Sequence, residues 1–414
     1  MCGNFASLAQ FATMRRMLQQ PTGLVLSGGG VRGAYEVGVV QGIVEALGLR
    51  PQDLAPFQIF SGTSVGAINA AYLAANAQRG DLNVGELAAI YRRLDITQHL
   101  RVGMRRHRAD TEDGWISRAF IDPRPLELLV RRSLDWDGLH HNIGCGLTSA
   151  LIIAAFNLLT GQTTIFSETA HSVDFRPSMD SRKVTLQLPI TADHVLASAA
   201  IPLLFPARKV GDAYYCDGGV RFNTPISPAI RAGAERLVIV SLQSDAKAEH
   251  SAKAPPDHSP STQFIAGRLL NALLIDPFQY DLAVLQRLNR LMEMLEEIVP
   301  AEQMERIESL MEQLRGEPYR KMKTLVIKPS EDLGRLANEH LRRHLANWKV
   351  GPFPRYLLKQ AALEDATWEA DWAAYLMFDG DYAGRLIELG LGDARRRASE
   401  IQAFFSDQSL SQVE

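Results

Sequence analysis

Two short stretches of this chain carry residue types that can perform acyl transfer. In GTSVG, Gly62 to Gly66, a serine stands between small residues, after the apolar run FQIFS and before the helix-like run AINAAYLAANA. That is the strand, sharp turn and helix setting of a nucleophile elbow, in which Gly62 and Gly66 permit the tight turn and Ser64 is pushed out at the positive end of a helix. The second stretch, GGGVRG, Gly28 to Gly33, also follows an apolar run and opens a helical one. Attack of a serine on a carbonyl creates an oxyanion, and the backbone N–H groups that receive it need a loop free of obstructing side chains. Gly28, Gly29 and Gly30 suit that role, and one such donor is worth ~2.7–4 kcal/mol of transition-state stabilisation. Arg32 either meets an anionic head group or pairs with a neighbouring carboxylate.

A serine nucleophile needs a base. His194, in TADHVLASAAIP, is the one late histidine in a small-residue, turn-like setting, whereas His340 and His344 lie on a charged helix. Asp217, in YYCDGGVRFNTP, ends an aromatic strand directly before Gly218 and Gly219, where a tight turn can aim a carboxylate into a cleft. Taken alone, Asp-Gly-Gly also reads as an ordinary hairpin turn.

The elements that must hold these residues follow a strand-then-helix rhythm from residue 22 onward. TGLVLSGGG and FQIFSGTS are each followed by a helical period, and GLTSALIIAAF, TTIFS, AYYCD, RLVIVSLQ and KTLVIKP are further strands, giving a largely parallel sheet of six or more members with helices on both faces. QSDAKAEHSAKAPPDHSPST, after Leu242, has no period and reads as a mobile surface loop. Leu285, Leu288, Met292, Leu295 and Val299 are spaced by threes and fours, Pro300 breaks the run, and Met304, Ile307, Met311 and Leu314 resume it, as a helical hairpin would. FIAGRLLNALLIDPF, Phe264 to Phe278, is more apolar than one narrow stripe requires and is a candidate for docking at a lipid interface.

With 414 residues, 46% hydrophobic and 22% charged, the chain has the composition of a globular enzyme and room for a sizeable core. Lys and Arg number 44 against 47 Asp and Glu, a net charge of -3, which argues against a nucleic-acid partner held by a general basic field. RVGMRRHR remains a local patch for peripheral membrane contact. Three scattered cysteines form neither a disulfide framework nor a metal cluster, and there is neither a secretory signal nor an apolar run long enough for a membrane span, so the expected location is cytoplasmic, with peripheral attachment to a membrane at most.

GGGVRG, GTSVG and DGG in this order, with ASAAIPLLFP (Ala197 to Pro206) between the last two, resemble the patatin-like phospholipase family, which includes the catalytic domains of cytosolic phospholipases. The resemblance covers residues from about 22 to about 240. It implies a three-layer α/β/α fold with a mostly parallel central sheet and a lipid or phospholipid ester as substrate. It also implies a Ser64–Asp217 dyad without histidine, an acyl-serine intermediate, an oxyanion hole at Gly28, Gly29 and Gly30, and motif support from Arg32, Gly33, Gly62, Gly66, Gly218 and Gly219. Neither metal nor other cofactor is required. The corresponding domain division is an N-terminal helical extension at 1–21, a patatin-like hydrolase domain at 22–330 with the loop at 243–262 and the helical insertion at 263–316, and a C-terminal helical region at 331–414.

Two rivals share the glycine loop. A nucleotide-binding Rossmann domain needs an acidic residue at the end of its second strand, and here that strand ends in SGTS. A catalytically silent interaction module of the same fold is the other. MCG at the N-terminus, with Cys2, matches an amidotransferase start by chance, DGDYAG from Asp379 begins like a calcium loop whose closing position is Gly390, and HLRRH from His340 spaces two histidines without a nearby third ligand.

Overall fold

Residues 20–95, 122–202, 204–222, 224–244, 276–315, 321–345 and 377–406, with 98, 107–108, 116–117 and 375, are described by the computed structural model. The N-terminal extension up to residue 19, the loop from 245 onward and the candidate docking stretch as far as residue 275 lie outside the described residues.

The strands are β1 (Thr22–Leu26), β2 (Ile59–Thr63), β3 (His107–Arg108), β4 (Ile116–Ser117), β5 (Ala150–Asn157), β6 (Thr163–Thr169), β7 (Lys183–Gln187), β8 (Arg208–Val210), β9 (Ala213–Asp217), β10 (Arg236–Val240) and β11 (Lys323–Ile327). The helices are α1 (Gly33–Ala46), α2 (Val65–Ala75), α3 (Val84–Arg92), α4 (Arg124–Ser133), α5 (Trp136–Gly144), α6 (Ala192–Ser198), α7 (Ile226–Arg231), α8 (Asp276–Ile298), α9 (Ala301–Arg315), α10 (Leu333–His344), α11 (Gly380–Arg396) and α12 (Ala398–Ser406).

The main sheet runs β11-β10-β1-β2-β5-β6-β7, and β3 with β4 forms a separate two-residue ladder. From β11 to β5 every pairing is parallel, as is β6 with β7, while β6 and β9 join β5 antiparallel and β8 joins β9 antiparallel. Strands β1, β2 and β10 are buried along their whole length and show no polar alternation, the pattern of strands covered on both faces. Two cores flank them. One gathers Val31, Tyr35, Val65, Leu73 and Leu87 with Leu386 and Ile387 of α11. The other gathers Ile59, Ile152, Phe222, Ile226, Ile239, Leu282 and Leu285. The result is a three-layer α/β/α architecture with additional C-terminal helices.

Leu282, Leu285 and Met292 of α8 are buried, so the hairpin's seam packs into its own molecule. Asn289 locks it further, its amide donating to the Met322 carbonyl at 2.8 Å while the Met322 N–H donates to Asn289 Oδ1 at 3.0 Å. On the opposite layer α11 lies against α1 backbone to backbone, since a Cβ on Gly38 would stand 2.1 Å from the Ile387 carbonyl oxygen. Tyr35 Oη donates to Asp393 Oδ2 across the same contact, at 3.0 Å. No helix among the described residues is long and apolar enough to cross a membrane.

Candidate active site

β5 supplies one continuous edge to two different strands. Thr63, the last residue of β2, faces Ala154, and Asp217, the last residue of β9, faces Ala155. Ser64 is therefore delivered to Asp217 by the register of the sheet. Its Oγ donates to Asp217 Oδ2 at 2.5 Å.

The serine turn is tight. Ser64 has φ 57° and ψ −126°, a left-handed conformation that costs a non-glycine residue ~1–3 kcal/mol. Packing around it explains the flanking glycines: a Cβ on Gly62 would lie 2.2 Å from the Gly66 carbonyl oxygen, and one on Gly66 would lie 2.6 Å from that of Leu26. The hydroxyls of Ser61 and Thr63 donate to the Pro225 and Phe222 carbonyls, at 2.8 and 3.0 Å, tying the strand end to the segment after Asp217. Ser198 closes the turn from the other side, accepting the Ser64 N–H at 2.9 Å and donating to the Ala154 carbonyl at 2.6 Å.

Asp217 is 1% exposed. Its second oxygen accepts the Gly219 N–H at 2.7 Å, and its own N–H donates to the Ala200 carbonyl at 2.8 Å. Burial pushes its pKa up to about 7, against the opposing pull of the Ser64 and Gly219 donors.

The glycine loop approaches the same point. Gly30 has φ +60° and lines a pocket together with Ser64. The N–H groups of Gly29 and Gly30 have no acceptor among the described residues, whereas the Gly29 carbonyl accepts the Arg32 N–H and Nε–H, both at 3.3 Å. Before the loop, the Ser27 N–H donates to Glu36 Oε1 at 2.7 Å and the Ser27 hydroxyl to the Val240 carbonyl at 3.0 Å. Glu36 is fully buried, takes a second bond from Asn69 Nδ2 at 3.0 Å, and is pushed up to about 8 by burial. The Tyr91 hydroxyl completes the network on Asn69 Oδ1 at 2.9 Å. Gly33 brings α1 against α2, where an added Cβ would lie 2.6 Å from Val65.

Beyond Ser64 the pocket extends between α2, α3 and α4, walled almost wholly by apolar side chains such as Val65, Ile68, Leu87, Leu129 and Phe205. Tyr72 also lines it, two turns along α2 from the serine.

The structure thus brings Ser64, Asp217 and the Gly28–Gly30 loop to one place, with Gly62 at the end of β2, Gly66 at the start of α2 and Gly218 and Gly219 in the turn after Asp217. Two expectations resolve differently. Arg32 is buried and stacks its guanidinium 3.9 Å from the centre of the Tyr375 ring, so it faces protein and is not presented to a head group. His194 sits in a capping box with Thr191, whose N–H donates to Nδ1 at 3.1 Å, and its ring packs edge-on against Phe166. The decoys also find structural roles: Asp379 caps α11 through the Tyr382 N–H at 3.0 Å, and His340 Nε2 lies 2.9 Å from Asp379 Oδ1. Glu36 and Ser198 carry no sequence signal of a role. One reads as an acid in a first helical turn, the other as one small residue among alanines.

Over 102 residues, 23% of this chain, the sequence is 37% identical to the protein named lysophospholipase nte1 of Aspergillus terreus, of whose length it spans 6%. The family model described as patatin-like phospholipase matches residues 24–230, half of the chain, and takes in the glycine loop, the serine elbow and the Asp-Gly-Gly turn. The chain belongs to the patatin-like phospholipase family.

Proposed function

We propose that this protein hydrolyses carboxylic esters of lipids, with Ser64 as nucleophile and Asp217 as its base. The observation that carries the reading is the 2.5 Å contact between the Ser64 hydroxyl and a buried carboxylate at the head of an apolar pocket. In the proposed sequence the acyl chain occupies the pocket and its carbonyl carbon lies at Ser64 Oγ. The oxygen attacks as its proton passes to Asp217 Oδ2, and the carbonyl electron pair becomes an oxyanion facing the N–H groups of Gly29 and Gly30 and the positive end of α2. Collapse breaks the ester bond, and the leaving alcohol takes the proton from Asp217. Water then repeats the two steps on the acyl-serine, freeing the fatty acid. Burial serves this chemistry, because a carboxylate that titrates near neutrality is a stronger base than one in bulk water. Phospholipid and lysophospholipid esters fit equally on this ground.

The test is a fluorophosphonate probe with peptide mapping, run beside hydrolysis of a soluble butyrate ester. Labelling at Ser64, with activity abolished in Ser64→Ala and reduced at least ~100-fold in Asp217→Asn, is the expected result. Folded protein that resists the probe and leaves every ester intact would instead favour a catalytically silent module.

A further inference from the structure

We infer that Tyr375, far outside the span matched by the family, is a positioning residue that keeps the Gly29–Gly30 peptide turned with its N–H toward the site. This rests on the hydrolase reading above. A peptide unit has two ends. Here the carbonyl of Gly29 is taken by the N–H and Nε–H of Arg32, which leaves the N–H of Gly30 on the opposite side. Both bonds are 3.3 Å, just beyond the usual range, so a further contact on the Arg32 side chain bears on how firmly the peptide is held. Tyr375 adds one. Its ring covers the Arg32 guanidinium at 3.9 Å, a cation–π contact between two buried side chains. Its main chain closes the other side of the loop, because a Cβ on Gly30 would lie 2.2 Å from the Tyr375 carbonyl oxygen. Rotation of the peptide would have to displace both.

Phe378 lines the acyl pocket, and α11 follows at once, fixed to α1 by the Tyr35–Asp393 bond. Tyr375 and Phe378 of the C-terminal region thus lie against the oxyanion loop and the pocket respectively. Tyr375 touches no reacting atom and acts through Arg32 on the Gly29 carbonyl.

An oxyanion donor that drifts weakens the transition state more than the bound substrate. Tyr375→Leu should therefore lower kcat on a soluble butyrate ester on the order of tenfold to a hundredfold with KM changed less than about twofold. Labelling of Ser64 by the fluorophosphonate should slow in parallel. Tyr375→Phe keeps the ring face and should stay within about twofold of wild type. Melting curves accompany each variant, and Tyr375→Met replaces Tyr375→Leu should the latter fail to fold. A folded Leu or Met variant with wild-type kcat and labelling rate overturns the inference, as does a Phe variant impaired as far as Leu, or a loss confined to KM. Wild-type protein that neither cleaves the ester nor takes the probe would overturn the hydrolase reading itself.

Discussion

Thr63 and Asp217 occupy consecutive positions along one edge of β5, opposite Ala154 and Ala155. β2 runs parallel to β5 and β9 antiparallel to it, so their C-terminal ends meet head to head. The proposed nucleophile and base are the residues at that meeting point. Their separation is fixed by backbone ladders, which are stiffer than loops.

The pH dependence of turnover follows from the burial of Asp217. Only the ionised carboxylate can take the serine proton, and its pKa is pushed up to about 7. Activity toward a soluble ester should therefore rise with pH through about 7 and level off above it. A pH profile of kcat/KM at constant ionic strength checks this. A profile already flat from the ordinary carboxylate range upward would mean that Asp217 titrates as an exposed acid does.

The same burial makes a statement about stability. The unfolded chain releases the Asp217 proton in the ordinary carboxylate range, while the folded chain holds it to about 7, so wild-type stability is lost as pH rises between those limits. Asp217→Asn does not titrate. Relative to wild type it should gain stability as pH increases over that interval, by a few kcal/mol at most, and the gap should stay constant above it. Paired melting curves across the pH range measure the difference, and a stability of the variant minus that of wild type that falls with rising pH would contradict the assignment.

Two glycine substitutions should separate folding from rate. A methyl on Gly62 would meet the Gly66 carbonyl at 2.2 Å, backbone that has nowhere to go, so Gly62→Ala should cost about 1–3 kcal/mol of stability. A Cβ on Gly29 meets the end of the Leu242 side chain at 2.3 Å, which can turn aside. Gly29→Val should keep most of its stability and lose on the order of a hundredfold in kcat through a crowded donor. Thermal melts and single-substrate kinetics on both variants decide it; the reverse ranking would assign the glycine loop to packing.

Chain-length preference should be readable at Tyr72. Ser64, Val65, Ile68 and Tyr72 line the pocket from one face of α2, about 12 Å of helix axis at its usual rise. The Tyr72 hydroxyl accepts from Asn83 Nδ2 at 3.2 Å, which fixes the ring at that end. Tyr72→Ala should shift the rate ratio of palmitate to octanoate esters toward palmitate, and Tyr72→Phe should leave it near wild type. An unchanged ratio in an active Tyr72→Ala enzyme would place the acyl chain elsewhere.

Much of this site is legible in the sequence because its parts are local. GTSVG announces an elbow through glycines that the turn needs, and AYYCDGG announces a strand that ends in a carboxylate. The sheet is legible where strands carry apolar runs, as in β1 and β10. It is not legible at β7, which is half exposed, or at β8, which has three residues. That β9 takes over the edge of β5 from β2 is a long-range pairing with no local signature. Glu36 and Tyr375 fail for the same reason, since their roles come from what the fold packs against them. His194 shows the converse: its turn-like setting is real, and the turn is a helix cap.

The shared edge of β5 also orders events in time. Ser64 and Asp217 are 153 residues apart in sequence, and their contact is among the costliest kinds of loop to close. A growing chain contains the serine well before it contains the carboxylate, and it contains Phe378 of the pocket later still. On the proposed mechanism, reactivity toward esters therefore requires the completed fold.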